Sequence, residues 1–89
     1  HASRHIANGK LKRRGVRRYK RYLYDGPVTA RVTGARETTV SLSVGGKLVR
    51  GPARRVSAVN CGLESLTVVV RSKFGGRYHL VETQDAEDG

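Results

Sequence analysis

The sequence contains no methionine, no tryptophan, one cysteine, two prolines and one phenylalanine in 89 residues. Each scarcity excludes something. A lone Cys61 forms no internal disulfide and has no Cys or His at metal-ligand spacing, so no covalent or zinc staple holds the chain. No apolar run approaches the roughly 20 residues of a membrane-spanning helix, and none reads as a secretory h-region. The expected partners therefore include no membrane, and no cofactor is implied. Without Met, the opening His1-Ala2-Ser3 reads as a tag remnant, so residues 1–3 are set aside and the rest is expected to belong to a longer polypeptide. A chain this short buries only about two thirds of its unfolded surface, which allows one domain with a small core.

Acids are also scarce. Seven Asp and Glu face 18 Lys and Arg, a formal charge of +11. Between Arg4 and Arg21 stand nine bases and no acid, and between Glu82 and Gly89 four acids and no base. Blocks of one sign repel and tend to form disordered or interacting segments. The chain accordingly divides into a basic arm (residues 4–21), a compact centre (22–82) and an acidic disordered tail (83–89).

The centre is written with a period of two. Apolar and polar residues alternate in Val28–Thr33 and again in Thr39–Val44, where Val40, Leu42 and Val44 face one way. Gly34–Glu37 is a turn between them, and Gly45-Gly46 signals a hairpin, because adjacent glycines accept the positive φ of a primed turn. Lys47–Arg50 returns and is broken at Gly51-Pro52. Arg54–Val59 resumes with Val56 and Ala58 inward. Leu66–Val70 and Tyr78–Val81 read as a last hairpin around Lys73-Phe74-Gly75-Gly76. Five or six short antiparallel strands with such turns predict an all-β fold, a small SH3-like or Tudor-like barrel carrying a basic N-terminal arm.

The chemistry points away from catalysis. There is no nucleophile elbow, P-loop or H-E-x-x-H motif. The central acids Asp25, Glu37 and Glu64 lie at or beside turns, Cys61 reads as small filler, and His79 alternates toward solvent. Basic residues interleaved with aromatics are the better signal. Arg17-Arg18-Tyr19-Lys20-Arg21-Tyr22-Leu23-Tyr24 sets three tyrosines among four cations. Thirteen of the 18 bases are Arg, whose fork suits phosphate. With no recognition helix, the pattern predicts sequence-indifferent nucleic-acid binding, DNA more than RNA, through phosphate contacts. The expected binding residues are Arg13, Arg14, Arg17, Arg18, Lys20 and Arg21, with Tyr19 stacking and Arg54 and Arg55 extending the track. A rival reading is a Tudor-type cage from Tyr22, Tyr24, Phe74 or Tyr78 with Asp25 around a methylated Lys or Arg. A third is an RNA-bound KOW-type or ribosomal protein.

Gly26-Pro27, Gly46-Lys47, Arg50-Gly51-Pro52 and Arg55-Val56-Ser57-Ala58-Val59 occupy the places of a known pattern. Over about a third of the chain this stretch resembles the C-terminal SH3-like domain of retroviral and retrotransposon integrases. It departs by placing Gly51 between Arg and Pro and by lacking a terminal Pro-Leu. The resemblance implies nonspecific DNA binding beside the rest of a parent enzyme, in an intracellular, nuclear setting.

Overall fold

The computed structural model describes residues 2–23, 26–60 and 64–85. Alternation extends further along the chain than the sequence reading carried it, and eight strands result. They are β1 (Ala2–Leu11), β2 (Gly15–Leu23), β3 (Gly26–Gly34), β4 (Thr38–Val44), β5 (Lys47–Ala53), β6 (Arg55–Asn60), β7 (Glu64–Ser72) and β8 (Gly76–Asp85). All pairings are antiparallel. The pairs nest: β1 with β8, β2 with β7, β3 with β6 and β4 with β5. Lateral contacts β3–β8 and β4–β7 complete two four-stranded sheets, ordered β1-β8-β3-β6 and β2-β7-β4-β5. Such a nested hairpin rolled into two layers is a jelly roll.

The all-β expectation holds. The closed SH3-like or Tudor-like barrel of five or six strands does not, because eight strands form two open sheets whose edges are β1, β6, β2 and β5.

The hairpin expected between β7 and β8 is also absent. The two strands lie in different sheets, so residues 73–75 carry the chain across the sandwich. Residues 35–37 do the same between β3 and β4. The one tight hairpin read from the sequence, β4 to β5, forms where expected, with Gly45 and Gly46 at φ 58° and 83°. β5 continues through Pro52, which an edge strand tolerates, with register shifts opposite Val40, Leu42 and Ser43.

Residues 4–21 are not an arm. They supply most of β1 and β2, two edge strands zipped along β8 and β7. Arg4 pairs in register with Thr83, Lys10 with Arg77, and Arg18 with Val69. Ala2 and Ser3, set aside as tag, belong to β1, and Thr83, Gln84 and Asp85 of the expected tail belong to β8. Residues 86–89 lie outside the described residues.

The core is the space between the sheets. Val28, Ala30 and Val32 of β3 and Tyr78 and Leu80 of β8 face Val40 and Leu42 of β4 and Leu66, Val68 and Val70 of β7. Val56 and Leu11 close its sides, with Ala7, Tyr19, Val44, Ala53 and Ala58 packed against it. Two polar residues follow the same inward alternation on β8: Glu82, 1% exposed, and Gln84, 6%. Glu82 pairs in register with His5 of β1 and Ala30 of β3.

Candidate functional site

In this winding, the connections β1–β2, β3–β4, β5–β6 and β7–β8 meet at one end of the sandwich. Backbone hydrogen bonds tie them together. Arg14 N–H donates to the Lys73 carbonyl (3.2 Å), Lys73 N–H to the Glu37 carbonyl (3.1 Å) and Ala35 N–H to the Arg77 carbonyl (2.9 Å). The Arg54 guanidinium donates to the Ala35 carbonyl at 3.4 Å. Beneath the β7–β8 connection, Ser72 Oγ accepts from Gly75 N–H (2.9 Å) and from Thr38 Oγ1 (3.1 Å). Gly75 itself sits at φ +79°, and a Cβ there would lie 2.7 Å from Arg13 N and 2.8 Å from the Leu11 carbonyl oxygen, so the loop packs tightly onto its neighbours.

At the tip of this pinned loop stands Phe74, 47% exposed. Arg36 Cζ and Lys73 Nζ each lie 5.6 Å from its ring centroid, so two cations from two loops attend one aromatic ring. Lys12, Arg13, Arg14 and Arg54 are exposed on the same connections, against one described carboxylate, Glu37. An aromatic anchor on a braced loop within a cationic rim has the composition of an interface hot spot. The sequence reading used Lys73-Phe74-Gly75-Gly76 as a turn and Phe74 as a cage candidate. A lone Phe inside a Gly-rich turn was the available signal, since an aromatic there has no strand face to bury it.

Of the described residues expected to bind nucleic acid, Arg13, Arg14 and Arg54 meet at the loop end, and the others are dispersed over the two sheets. Arg13 and Arg14 lie in the β1–β2 turn. Along β2 the pleat sends successive side chains to opposite faces, so Arg17 and Tyr19 part from Arg18 and Lys20. Arg18 lines a hollow on the outer face of the β2-β7-β4-β5 sheet with Ser41, Leu48 and Arg71. Arg55 stands on the outer face of the other sheet, and Arg54 at the loop end. The Arg21 side chain lies outside the described residues.

Tyr19 is no stacking platform. It is half-buried against the core, and its hydroxyl is hydrogen-bonded to that of Tyr78. Tyr78, 3% exposed, is pushed up to about 12 from the ordinary tyrosine value of 10.0, chiefly by burial and then by the Tyr19 hydrogen bond, with nearby Arg17 opposing. No aromatic cage forms from the described members, because Tyr78 is buried and Phe74 exposed at the loop end. Tyr24, Asp25 and Cys61, and the Tyr22 side chain, lie outside the described residues. Among the described residues, no three His, Cys, Asp or Glu side chains come together to hold a metal ion.

Among solved structures, the sandwich superimposes on PliG of Aeromonas hydrophila, a periplasmic lysozyme inhibitor of g-type lysozyme. The TM-score is 0.68, with 96% of this chain and 87% of that chain covered at 10% identity. The fold is similar to that of PliG. No protein-family model matches the chain, and neither does any curated protein.

This likeness overturns the integrase resemblance, which rested on short motifs along a barrel that does not form. The nucleic-acid reading falls with it. Its free basic arm is two strands of the sandwich, and the structural neighbour is an inhibitor of a protein. The Tudor-like and ribosomal alternatives shared the barrel and lose the same support. That neighbour is periplasmic, which removes the basis for an intracellular, nuclear setting, and it is an inhibitor, not an enzyme.

Proposed function

We propose that this chain is an extracellular or periplasmic inhibitor-type module that binds a protein and acts by occupying it, with no chemistry of its own. The observation carrying this reading is the fold likeness to PliG across 96% of the chain. The loop end supports it. Phe74 offers the anchor, and Arg36, Lys73, Arg13 and Arg14 offer a rim of positive charge around it.

Charge narrows the partner. At +11 the chain associates fastest with a protein that presents an acidic docking surface, above all at low salt. A glycoside hydrolase meets this locally, because its cleft carries a pair of catalytic carboxylates. The first partner to test is therefore a g-type lysozyme. Turbidity loss of a cell-wall suspension, followed against added chain, should slow in a dose-dependent way and approach full inhibition near equimolar amounts. Phe74→Ala should raise the half-inhibitory concentration at least tenfold, about 1.4 kcal/mol. Undiminished lysis at a large molar excess, with no complex in titration calorimetry, would overturn the lysozyme assignment.

A further inference from the structure

The outer face of the β1-β8-β3-β6 sheet has its own chemistry, which begins at Arg55, one residue beyond Arg54 of the loop end. Arg4, Arg31, Arg55 and His79 line a hollow of about 400 Å³ there, with Thr29, Thr83, Ile6 and Val81. Register explains the convergence. Arg31 on β3 is directly opposite Arg55 on β6, and Thr29 lies between Thr83 and Ser57 on its two neighbours. One strand further, Ile6 pairs with Val81 and Arg4 with Thr83. On the next rung the His79 Nδ1–H donates to Asn8 Oδ1 at 2.5 Å, which fixes the ring at the rim.

Two features set this face apart from an ordinary solvated surface. Like charges directly opposite each other destabilise a strand pair, and the face holds two such pairs, Arg31 with Arg55 and Lys10 with Arg77. No carboxylate compensates them among the described side chains of that face. Arg4, Arg31 and Arg55 form no hydrogen bond or ion pair to another described residue. Their forks are left to an external acceptor.

We propose that this hollow binds a phosphate-type oxyanion, a phosphomonoester or diphosphate carried by a soluble molecule or by a lipid headgroup. Arg31 and Arg55, about 5 Å apart at their Cβ atoms, bracket the anion with bidentate forks. Arg4 reaches it from the far side of the hollow, the Thr29 and Thr83 hydroxyls supply further donors, and Ile6 and Val81 give the carrier an apolar wall. Binding relieves the repulsion that the register imposes.

The test is thermal unfolding and titration calorimetry with inorganic pyrophosphate, at constant ionic strength set with sodium chloride. At 1 mM pyrophosphate the midpoint of the native chain should rise by several degrees. In Arg31→Gln/Arg55→Gln the rise should vanish, while the ligand-free midpoint should equal or exceed that of the native chain, because a repulsive pair has been removed. Co-sedimentation with phosphatidic acid vesicles gives the second arm. Pyrophosphate binding that depends on Arg31 and Arg55 supports the site with a soluble ligand. Vesicle binding that depends on them, without pyrophosphate binding, supports it with a headgroup. No binding in either arm, or equal binding by the double variant, overturns it.

Discussion

Replacing Gly9 by alanine asks whether the basic N-terminal segment is seated in the fold. Gly9 lies on edge strand β1 opposite Tyr78 of β8. A Cβ at position 9 would stand 2.5 Å from Tyr78 Cζ and 2.7 Å from Cε2. Carbon atoms rest near 3.5–4.0 Å, so the ring would have to move by about 1 Å. It has little freedom to do so, since Tyr78 is 3% exposed and its hydroxyl is bound to Tyr19 on the facing sheet. Overpacking of this kind costs about 1–3 kcal/mol. Removing a glycine from a strand returns about 0.5–1 kcal/mol, which leaves a net loss of up to about 2.5 kcal/mol, centred near 1 kcal/mol. For a domain of this size a loss of about 1 kcal/mol lowers the unfolding midpoint by roughly 4–8 °C. Circular dichroism with tyrosine fluorescence would follow it. In a Tyr78→Leu background the penalty at position 9 should largely disappear, as a double-mutant cycle would report. A stabilising Gly9→Ala, or one whose effect is unchanged in the Tyr78→Leu background, would refute the reasoning, because alanine in a free arm does not depend on Tyr78.

Other outcomes are equally specific. Leu42→Ala, at a fully buried position between the sheets, should cost about 3–5 kcal/mol in denaturant unfolding. The contribution of Tyr78 to stability should be level below pH 10, the ordinary tyrosine value, and fall by on the order of 2–3 kcal/mol by pH 12, because the native phenol holds its proton to about 12 and the unfolded one does not. Tyr78→Phe should flatten that alkaline fall, and an unchanged slope in the variant would assign it to other groups. Phe74→Ala should leave the unfolding free energy within about 0.5 kcal/mol of native, since its ring is held by no core contact and serves the loop end alone.

The strands that cover the middle of each sheet were legible because both of their faces are written out. Val28, Ala30 and Val32 and then Val40, Leu42 and Val44 mark an inner face, with Thr, Arg and Ser between them. β1 and β2 were not legible, for a physical reason. Their inner positions are Ala7, Gly9 and Leu11 on β1 and Gly15, Arg17 and Tyr19 on β2, residues that cover a core edge without forming an apolar stripe. Gly9 is part of that face because the Tyr78 ring fills the space its side chain would take, an aromatic covering a strand glycine. Glu82 and Gln84 masked the inner face of β8 in the same way. Layer changes were illegible too: a short Gly-rich turn such as residues 73–75 serves a hairpin or a crossover, and only the pairing partners of β7 and β8, more than 20 residues away in β4 and β3, decide between them.

Charge misled for a related reason. In an extended strand, a run of bases contiguous in sequence is divided between two faces, as Arg17 and Arg18 are on β2. Bases distant in sequence, Arg31 and Arg55 among them, become neighbours across a ladder. The density of cations in residues 4–21 therefore measures something other than a binding track. β1 and β2 are the edge strands of their sheets, and each presents one row of backbone groups without a strand partner. Charged side chains along such edges oppose the addition of another strand, a standard defence against edge-to-edge association. Part of the +11 thus guards the fold, and the rest is gathered where topology gathers it, around Phe74 from the loops and around Arg31 and Arg55 from the register. Neutralising Lys10, Arg18 and Lys20 together should accordingly leave pyrophosphate binding intact and instead promote association of the chain with itself, read as a concentration-dependent mass in light scattering. A variant whose mass matches that of the native chain at every concentration would show that the edge charges have no protective role.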